Sequence, residues 1–134
     1  MARKKPATGN DPLSQARAVQ RAAAKQGFDW PACDPRAWAK LAEEIRELKA
    51  VAGNPRRAEE ELGDLLFMVV NLSRHLKVDA RRALERATKK FSRRFAYVMR
   101  HARALPPMGN PRRLVEMEKR WQKVKRSETS ARPR

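Results

Sequence analysis

Apolar residues recur at steps of three and four along most of the chain, which is the spacing of one face of an α-helix. No run of alternating β-branched residues competes with this pattern. Good N-cap residues precede a proline at Asp11-Pro12, Asp34-Pro35, Asn54-Pro55 and Asn110-Pro111, and Asp79 is a further N-cap without a proline. We therefore predict an all-α fold of about five helices, over residues 12–26, 35–52, 55–76, 79–104 and 111–126.

The third predicted helix is apolar nearly all round, since Leu66 and Val70 widen its main stripe and Phe67 adds a further direction. Such a helix is buried on several sides. In a chain of 134 residues we expect a second copy, in a homodimer, to cover one of those sides. A polar line shares one face of the same helix, because its members are spaced at three and four: Glu61, Asp64, Met68, Asn71 and His75.

Two pairs of carboxylates border the apolar stripes of the second and third helices. Glu44 and Glu47 form one pair and Glu61 and Asp64 the other, each with an i, i+3 spacing that puts both groups on one face. A buried carboxylate is costly unless a cation pairs with it. Four carboxylates without a His or Cys ligand suit Mg²⁺, or Mn²⁺, and disfavour zinc. Either pair alone is also typical of a solvated helix face, whereas both pairs on consecutive helices favour a metal site.

The net charge is +17, and its distribution is uneven. Basic residues are concentrated at both ends, whereas seven of the fifteen acidic residues fall between Glu43 and Asp64. We predict that the ends, at 1–10 and 127–134, are disordered tails and that residues 11–126 form a single domain. An acidic centre in basic surroundings suits a small anion held through a metal better than a long polyanion. The longest apolar run has six residues, far below the roughly 20 that span a bilayer. We expect a cytoplasmic protein without a membrane partner.

Cations and aromatic residues in the last two helices are further candidates. Lys90 and Arg94 are four residues apart beside an apolar face, and Trp121 and Lys125 are four apart in the last helix. An aromatic ring with neighbouring cations can stack on a base and hold phosphates. Spacing alone favours the simpler interpretation, in which Trp121 is a packing anchor and the three cations lie on a solvated face.

Several motifs together resemble the MazG nucleoside triphosphate pyrophosphohydrolases. EEIRE at 43–47 followed by EELGD at 60–64 is similar to the EExxE…EExxD signature of that family. The resemblance to the second, catalytic domain of the family covers residues 15 to 126, and it includes QGFDW at 26–30, EEELGDLLFMVVNLSRHL at 59–76, KKFSRRF at 89–95 and WQKVK at 121–125.

The resemblance implies an all-α, usually dimeric fold and Mg²⁺-dependent hydrolysis of nucleoside triphosphates to the monophosphate and pyrophosphate. The metal ligands that it implies are Glu44, Glu47, Glu61 and Asp64. The substrate contacts that it implies are Lys90 and Arg94 for the triphosphate, Trp121 and Lys125 to complete the nucleotide site, and Asn71, which would also reach the nucleotide. For the basic and aromatic residues, the resemblance reverses the choice that spacing alone favoured.

Two other functions compete with this interpretation. A basic helical nucleic-acid-binding protein would use the charge of +17 and the basic tails, and it would bind with a steep salt dependence. It leaves four carboxylates beside a core without a purpose, and the chain has no helix-turn-helix or aromatic RNA-binding signature. The nearer alternative is a pyrophosphohydrolase of the same fold that acts on dUTP or phosphoribosyl-ATP.

Overall fold

The computed structural model describes residues 11–31 and 34–132. These residues form helices and no β-strand, so the predicted all-α fold is confirmed. The α-helices are α1 Pro12–Lys25, α2 Pro35–Ala50, α3 Pro55–His75, α4 Ala80–Val98 and α5 Pro111–Ser130, with a short 3-10 helix at Ala102–Ala104. None of the described helices combines the length and the apolar character that a membrane-spanning helix requires.

The predicted N-caps begin the helices. In α1, α2, α3 and α5 the capping side chain accepts a hydrogen bond from a backbone N–H of the first turn, and a proline follows it, at Asp11, Asp34, Asn54 and Asn110. For α4, Oδ1 of Asp79 accepts from the backbone N–H groups of Arg81 and Arg82, at 3.0 and 3.2 Å. Capping satisfies N–H groups that have no partner inside the helix, so the sequence sets these starts locally.

The predicted end of α4 is wrong by six residues, because the helix stops at Val98 rather than at 104. His101 adopts a left-handed conformation, with φ at 53°, which an α-helix cannot continue through. Nη1 of Arg120 donates hydrogen bonds to the carbonyl oxygens of Val98 and Arg100, at 2.8 and 2.6 Å. The arginine therefore stabilises the break by pairing carbonyl groups that the helix end leaves free.

The last helix is longer than predicted. The predicted disordered tail covers residues 127–134, but α5 continues to Ser130, so residues 127–130 are helical. No helix-breaking residue follows Trp121 until Pro133, which explains the extension. The predicted tail at 1–10 and the last two residues, 133–134, lie outside the described residues, so the domain limits stay a prediction.

The chain divides into two compact units, one extending to Ala83 and the other beginning at Leu84. In the first unit α3 packs against both α1 and α2. The buried apolar residues that α3 contributes to this core are Met68, Val70 and Leu72. In the second unit the ring of Phe91 stacks on Phe95, with centroids 5.9 Å apart, and packs against Trp121 at 5.3 Å.

One apolar row of α3 stays exposed within the described chain. Leu62, Leu66 and Val69 follow each other at steps of four and three and are 46%, 53% and 45% exposed. The expectation that α3 is buried on several sides is therefore only partly met by a single copy. The homodimer that would cover this row stays a prediction.

Candidate active site

Three of the four predicted carboxylates meet in space. Glu44 comes from α2, and Glu61 and Asp64 come from α3. One carboxylate oxygen from each lies within 4.8 Å of the other two. The local cause is simple: residues 51–54 form a short turn that brings α2 and α3 into contact, and the i, i+3 spacing puts Glu61 and Asp64 on one face. We call these three residues the carboxylate cluster.

Only one carboxylate oxygen of the most buried member has a partner among the described residues. Glu44 is 6% exposed. Its Oε1 lies 3.0 Å from Nζ of Lys40, whereas its Oε2 is buried without a hydrogen-bond partner among the described residues. The hydrogen bond to Glu44 raises the pKa of Lys40, so this lysine is positively charged at neutral pH. The second oxygen still lacks a partner, and a buried carboxylate in this state is unfavourable.

The donor set of the cluster fits a hard divalent cation. Three carboxylates supply only oxygen ligands, which Mg²⁺ and Mn²⁺ prefer and zinc does not. A cation held by Glu44, Glu61 and Asp64 would compensate the charge of the buried Glu44 carboxylate. The burial of Glu44 therefore has a chemical explanation that a solvated acidic face does not provide.

Glu47 faces the same negative charge without belonging to the cluster. It lies one turn after Glu44 on α2 and is half-buried. Burial raises the pKa of its carboxyl, and the negative charges of Glu44, Glu43 and Glu61 raise the pKa further. Electrostatics thus associates Glu47 with Glu44 and Glu61, although Glu47 is not among the three carboxylates that lie within 4.8 Å of one another.

A cavity of about 500 Å³ lies in the same unit, between α1, the 27–30 segment and α3. We call it the α1–α3 cavity. Its aromatic lining consists of Phe28, Trp30 and Phe67, and the polar lining includes Gln20, Asn71 and Arg74. Lys40 also lines it, and this lysine is the ion-pair partner of Glu44. The cavity and the carboxylate cluster are therefore neighbours through one side chain.

The 27–30 segment is fixed to the end of α3 by Asp29. Nη2 of Arg74 lies 2.7 Å from Oδ1 of Asp29, and Nε2 of His75 lies 3.0 Å from the same oxygen. Arg74 also donates to Oδ1 of Asn71 at 2.9 Å. The hydrogen bond from Arg74 is the main reason that the pKa of Asp29 is lowered. One charged network thus positions the aromatic segment and Asn71 on the cavity wall.

The remaining candidates lie in the second unit. The guanidinium carbon of Arg94 lies 5.6 Å from the ring centroid of Trp121, a cation–π distance. Nε and Nη2 of Arg94 also donate to Oε2 of Glu128, at 2.9 and 2.7 Å. Lys90 and Lys125 are exposed on α4 and α5. The structure thus brings Arg94 and Trp121 together, and it places the two lysines on the surface.

Three residues that contact the candidate site residues or line the α1–α3 cavity were not among the sequence predictions. Lys40 could have been found, because it precedes Glu44 by the i, i+4 spacing of a helical ion pair. Glu128 lies in the predicted tail, yet its carboxylate accepts hydrogen bonds from Arg94 and Arg93, which lower its pKa to about 2. Gln20 carries no sequence signal, since its burial arises only when α1 packs against α3.

Fold and site together define an all-α protein whose consecutive helices bring carboxylates together beside a cavity. Comparison with known families makes the assignment more specific: residues 36–99 match the MazG nucleotide pyrophosphohydrolase domain. This part of the chain is a MazG domain, and the resemblance deduced from the motifs is confirmed. The matched region contains the whole carboxylate cluster and also Lys90 and Arg94.

Individual relatives agree with the family assignment. The chain is 54% identical over 84 residues to the nucleoside triphosphate pyrophosphohydrolase/pyrophosphatase MazG of Thermotoga maritima. This aligned region covers 62% of this chain and 32% of the relative. The chain is 40% identical over 121 residues to the nucleoside triphosphate pyrophosphohydrolase of Escherichia coli K12, covering 87% of this chain and 45% of the relative. The chain thus spans less than half the length of these relatives.

Proposed function

We propose that this protein hydrolyses nucleoside triphosphates to the nucleoside monophosphate and pyrophosphate with Mg²⁺ as its cofactor. The observation that carries the proposal is the carboxylate cluster, in which the buried Oε2 of Glu44 lacks a partner among the described residues. The similarity to two nucleoside triphosphate pyrophosphohydrolases supports the activity. Mn²⁺ fits the same oxygen ligands.

In this proposal Glu44, Glu61 and Asp64 would hold the metal, and Glu47, on the same stretch of α2 as Glu44, would be the fourth carboxylate of the site. Bound Mg²⁺ would supply charge neutralisation on the phosphate oxygens and activation of a water molecule. A water oxygen attacks the α-phosphorus, the bond from the α-phosphorus to the α–β bridging oxygen breaks, and pyrophosphate leaves. A carboxylate of the group takes the proton that the water loses.

The nucleoside occupies the α1–α3 cavity. A base can stack on the aromatic side chains of that lining, and Asn71 offers an amide for polar recognition. We further propose that Lys90 and Arg94 contact the triphosphate and that Trp121 and Lys125 complete the nucleotide site. The contact between Arg94 and Trp121 in the second unit supports their acting together.

Release of pyrophosphate from a panel of nucleotides, with and without Mg²⁺, tests the proposal. Asp64→Asn and Glu61→Gln are expected to abolish turnover while leaving the helical circular dichroism unchanged, because each removes a metal ligand but keeps the side-chain shape. Glu60→Gln, an exposed neighbour outside the cluster, is the matched control and should keep activity. Turnover that survives Asp64→Asn would overturn the site assignment. Including dUTP and phosphoribosyl-ATP in the panel separates the same-fold alternatives.

We also propose that the protein is a homodimer formed through α3. The supporting observation is the exposed row Leu62, Leu66 and Val69. Light scattering after size exclusion should give twice the mass of 15.4 kDa for the wild type. Leu66→Glu places a charge in the row and should give the monomer mass, whereas Glu118→Gln, on the exposed surface of α5, should not.

A further inference from the structure

A buried polar atom without a hydrogen-bond partner is rare in a folded protein, and it often marks a place where an ion, a water molecule or a ligand binds. Among the described residues there are four such side-chain atoms: Arg17 Nε, Gln20 Oε1, Glu44 Oε2 and Arg74 Nε. Glu44 belongs to the carboxylate cluster, and Gln20 and Arg74 both line the α1–α3 cavity. Three of the four therefore lie at the proposed substrate site. Gln20 has no role yet in the reaction described above.

The orientation of the Gln20 amide is determined by its surroundings. Nε2 donates a hydrogen bond to the backbone carbonyl oxygen of Phe67, at 2.8 Å. Exchanging the two ends of the amide would bring two oxygens to that distance, which is repulsive, so the nitrogen has to face Phe67. Oε1 is then left as an acceptor with no donor among the described residues. The whole residue is only 6% exposed.

We propose that Gln20 is a specificity-determining residue whose Oε1 accepts a hydrogen bond from an N–H group of the nucleobase. The proposal rests on the proposed function, since it requires a nucleoside in the α1–α3 cavity. Gln20 is a neutral acceptor beside the aromatic lining, and such isolated polar groups fix orientation and selectivity in ligand sites. The unpartnered N–H at Nε of Arg74 complements it as a donor for an acceptor atom of the same base.

A site with an unpaired buried acceptor discriminates through the penalty for leaving it unpaired. A base that carries a suitable N–H removes that penalty, and an analogue without it does not. Since Oε1 is covered in the unliganded protein, a base that reaches it has to shift the covering side chains. We expect the selectivity between a base with this N–H group and an analogue without it to appear in kcat/KM. The selectivity should be lost when Oε1 of Gln20 is removed by substitution.

The test compares substrates that differ by one donor. ATP is paired with purine riboside triphosphate, which lacks the amino group, and UTP is paired with N3-methyl-UTP, which lacks the imino N–H. For the base that the wild type prefers, loss of the donor is expected to lower kcat/KM about tenfold, the size of one hydrogen bond to a buried group. Gln20→Met keeps the side-chain length without the acceptor, and the ratio for that pair should fall to about one. Gln122→Met, an exposed glutamine of α5, is the matched control and should keep the wild-type ratio.

The outcomes separate this inference from the proposed function. A wild type that hydrolyses none of the triphosphates overturns both. A wild type that hydrolyses them but does not distinguish the members of either pair overturns the role of Gln20 alone, whether or not Gln20→Met folds. An unchanged ratio in a folded Gln20→Met variant also overturns it, because Gln20 would then be a structural residue served by a buried water.

Discussion

Asp29→Asn tests how the cavity wall is held in place. The substitution keeps the size and one acceptor oxygen of the side chain but removes the charge that Arg74 and His75 face at 2.7 and 3.0 Å. The side chain of Asp29 is 22% exposed, so solvent screens the pair only in part. A hydrogen bond to a charged group contributes ~1.5–3 kcal/mol, and the partial exposure favours the lower end of that range, about 1.5 kcal/mol. For a domain of this size that corresponds to a fall in Tm of roughly 3–6 °C.

The sign of the pH dependence provides a stricter check. The pKa of Asp29 is lowered in the folded protein, chiefly by the hydrogen bond from Arg74, so its contribution to stability is fully present above the ordinary aspartate pKa of 3.8. That contribution is lost as the pH falls through the folded pKa. Thermal unfolding followed by circular dichroism should therefore show a larger difference between wild type and Asp29→Asn at pH 7 than at pH 3. A difference that is equal at both pH values would refute the charge-based explanation, and Glu118→Gln controls for loss of a surface charge.

Other predictions follow from single contacts. Glu128→Gln is expected to lower KM for nucleoside triphosphates severalfold without changing kcat. The reason is that the Glu128 carboxylate accepts hydrogen bonds from Arg94 and would compete with the phosphate for this arginine. A raised KM would mean instead that Glu128 positions Arg94 for the substrate. Since the pKa of Glu128 is about 2, the effect should be the same from pH 6 to pH 9. Val70→Ala removes two methyl groups from a residue that is 2% exposed and should cost about 2–3 kcal/mol in urea unfolding, whereas the same change at the exposed Val115 should cost less than about 0.5 kcal/mol.

The parts of the site that the sequence could predict are those fixed by local geometry. Helical spacing places Glu61 and Asp64 on one face, and a short turn between α2 and α3 brings Glu44 to them. N-cap and proline signals likewise set the helix starts, because they act within one turn. Glu47 lies beside the cluster but outside it, a distinction that depends on side-chain directions rather than on spacing.

Features that depend on tertiary contacts could not be predicted. Glu128 pairs with Arg94 across 34 positions of sequence, and the burial of Gln20 depends on a contact with Phe67 that is 47 positions away. The end of α4 escaped prediction for the same reason, since Arg120 of another helix stabilises the break. In each case the chemistry of the residue was visible in the sequence, whereas its partner was not.

The claim on which the account depends is that Glu44, Glu61 and Asp64 bind a divalent cation together. Electron paramagnetic resonance of free Mn²⁺ during a titration measures this binding directly, without substrate or turnover. The account predicts saturable Mn²⁺ binding by the wild type, competition by Mg²⁺, and affinity at least about tenfold weaker in Asp64→Asn, the low end of the loss expected when a metal site is disturbed. Equal Mn²⁺ binding by the wild type and Asp64→Asn, or no binding by either, would contradict it.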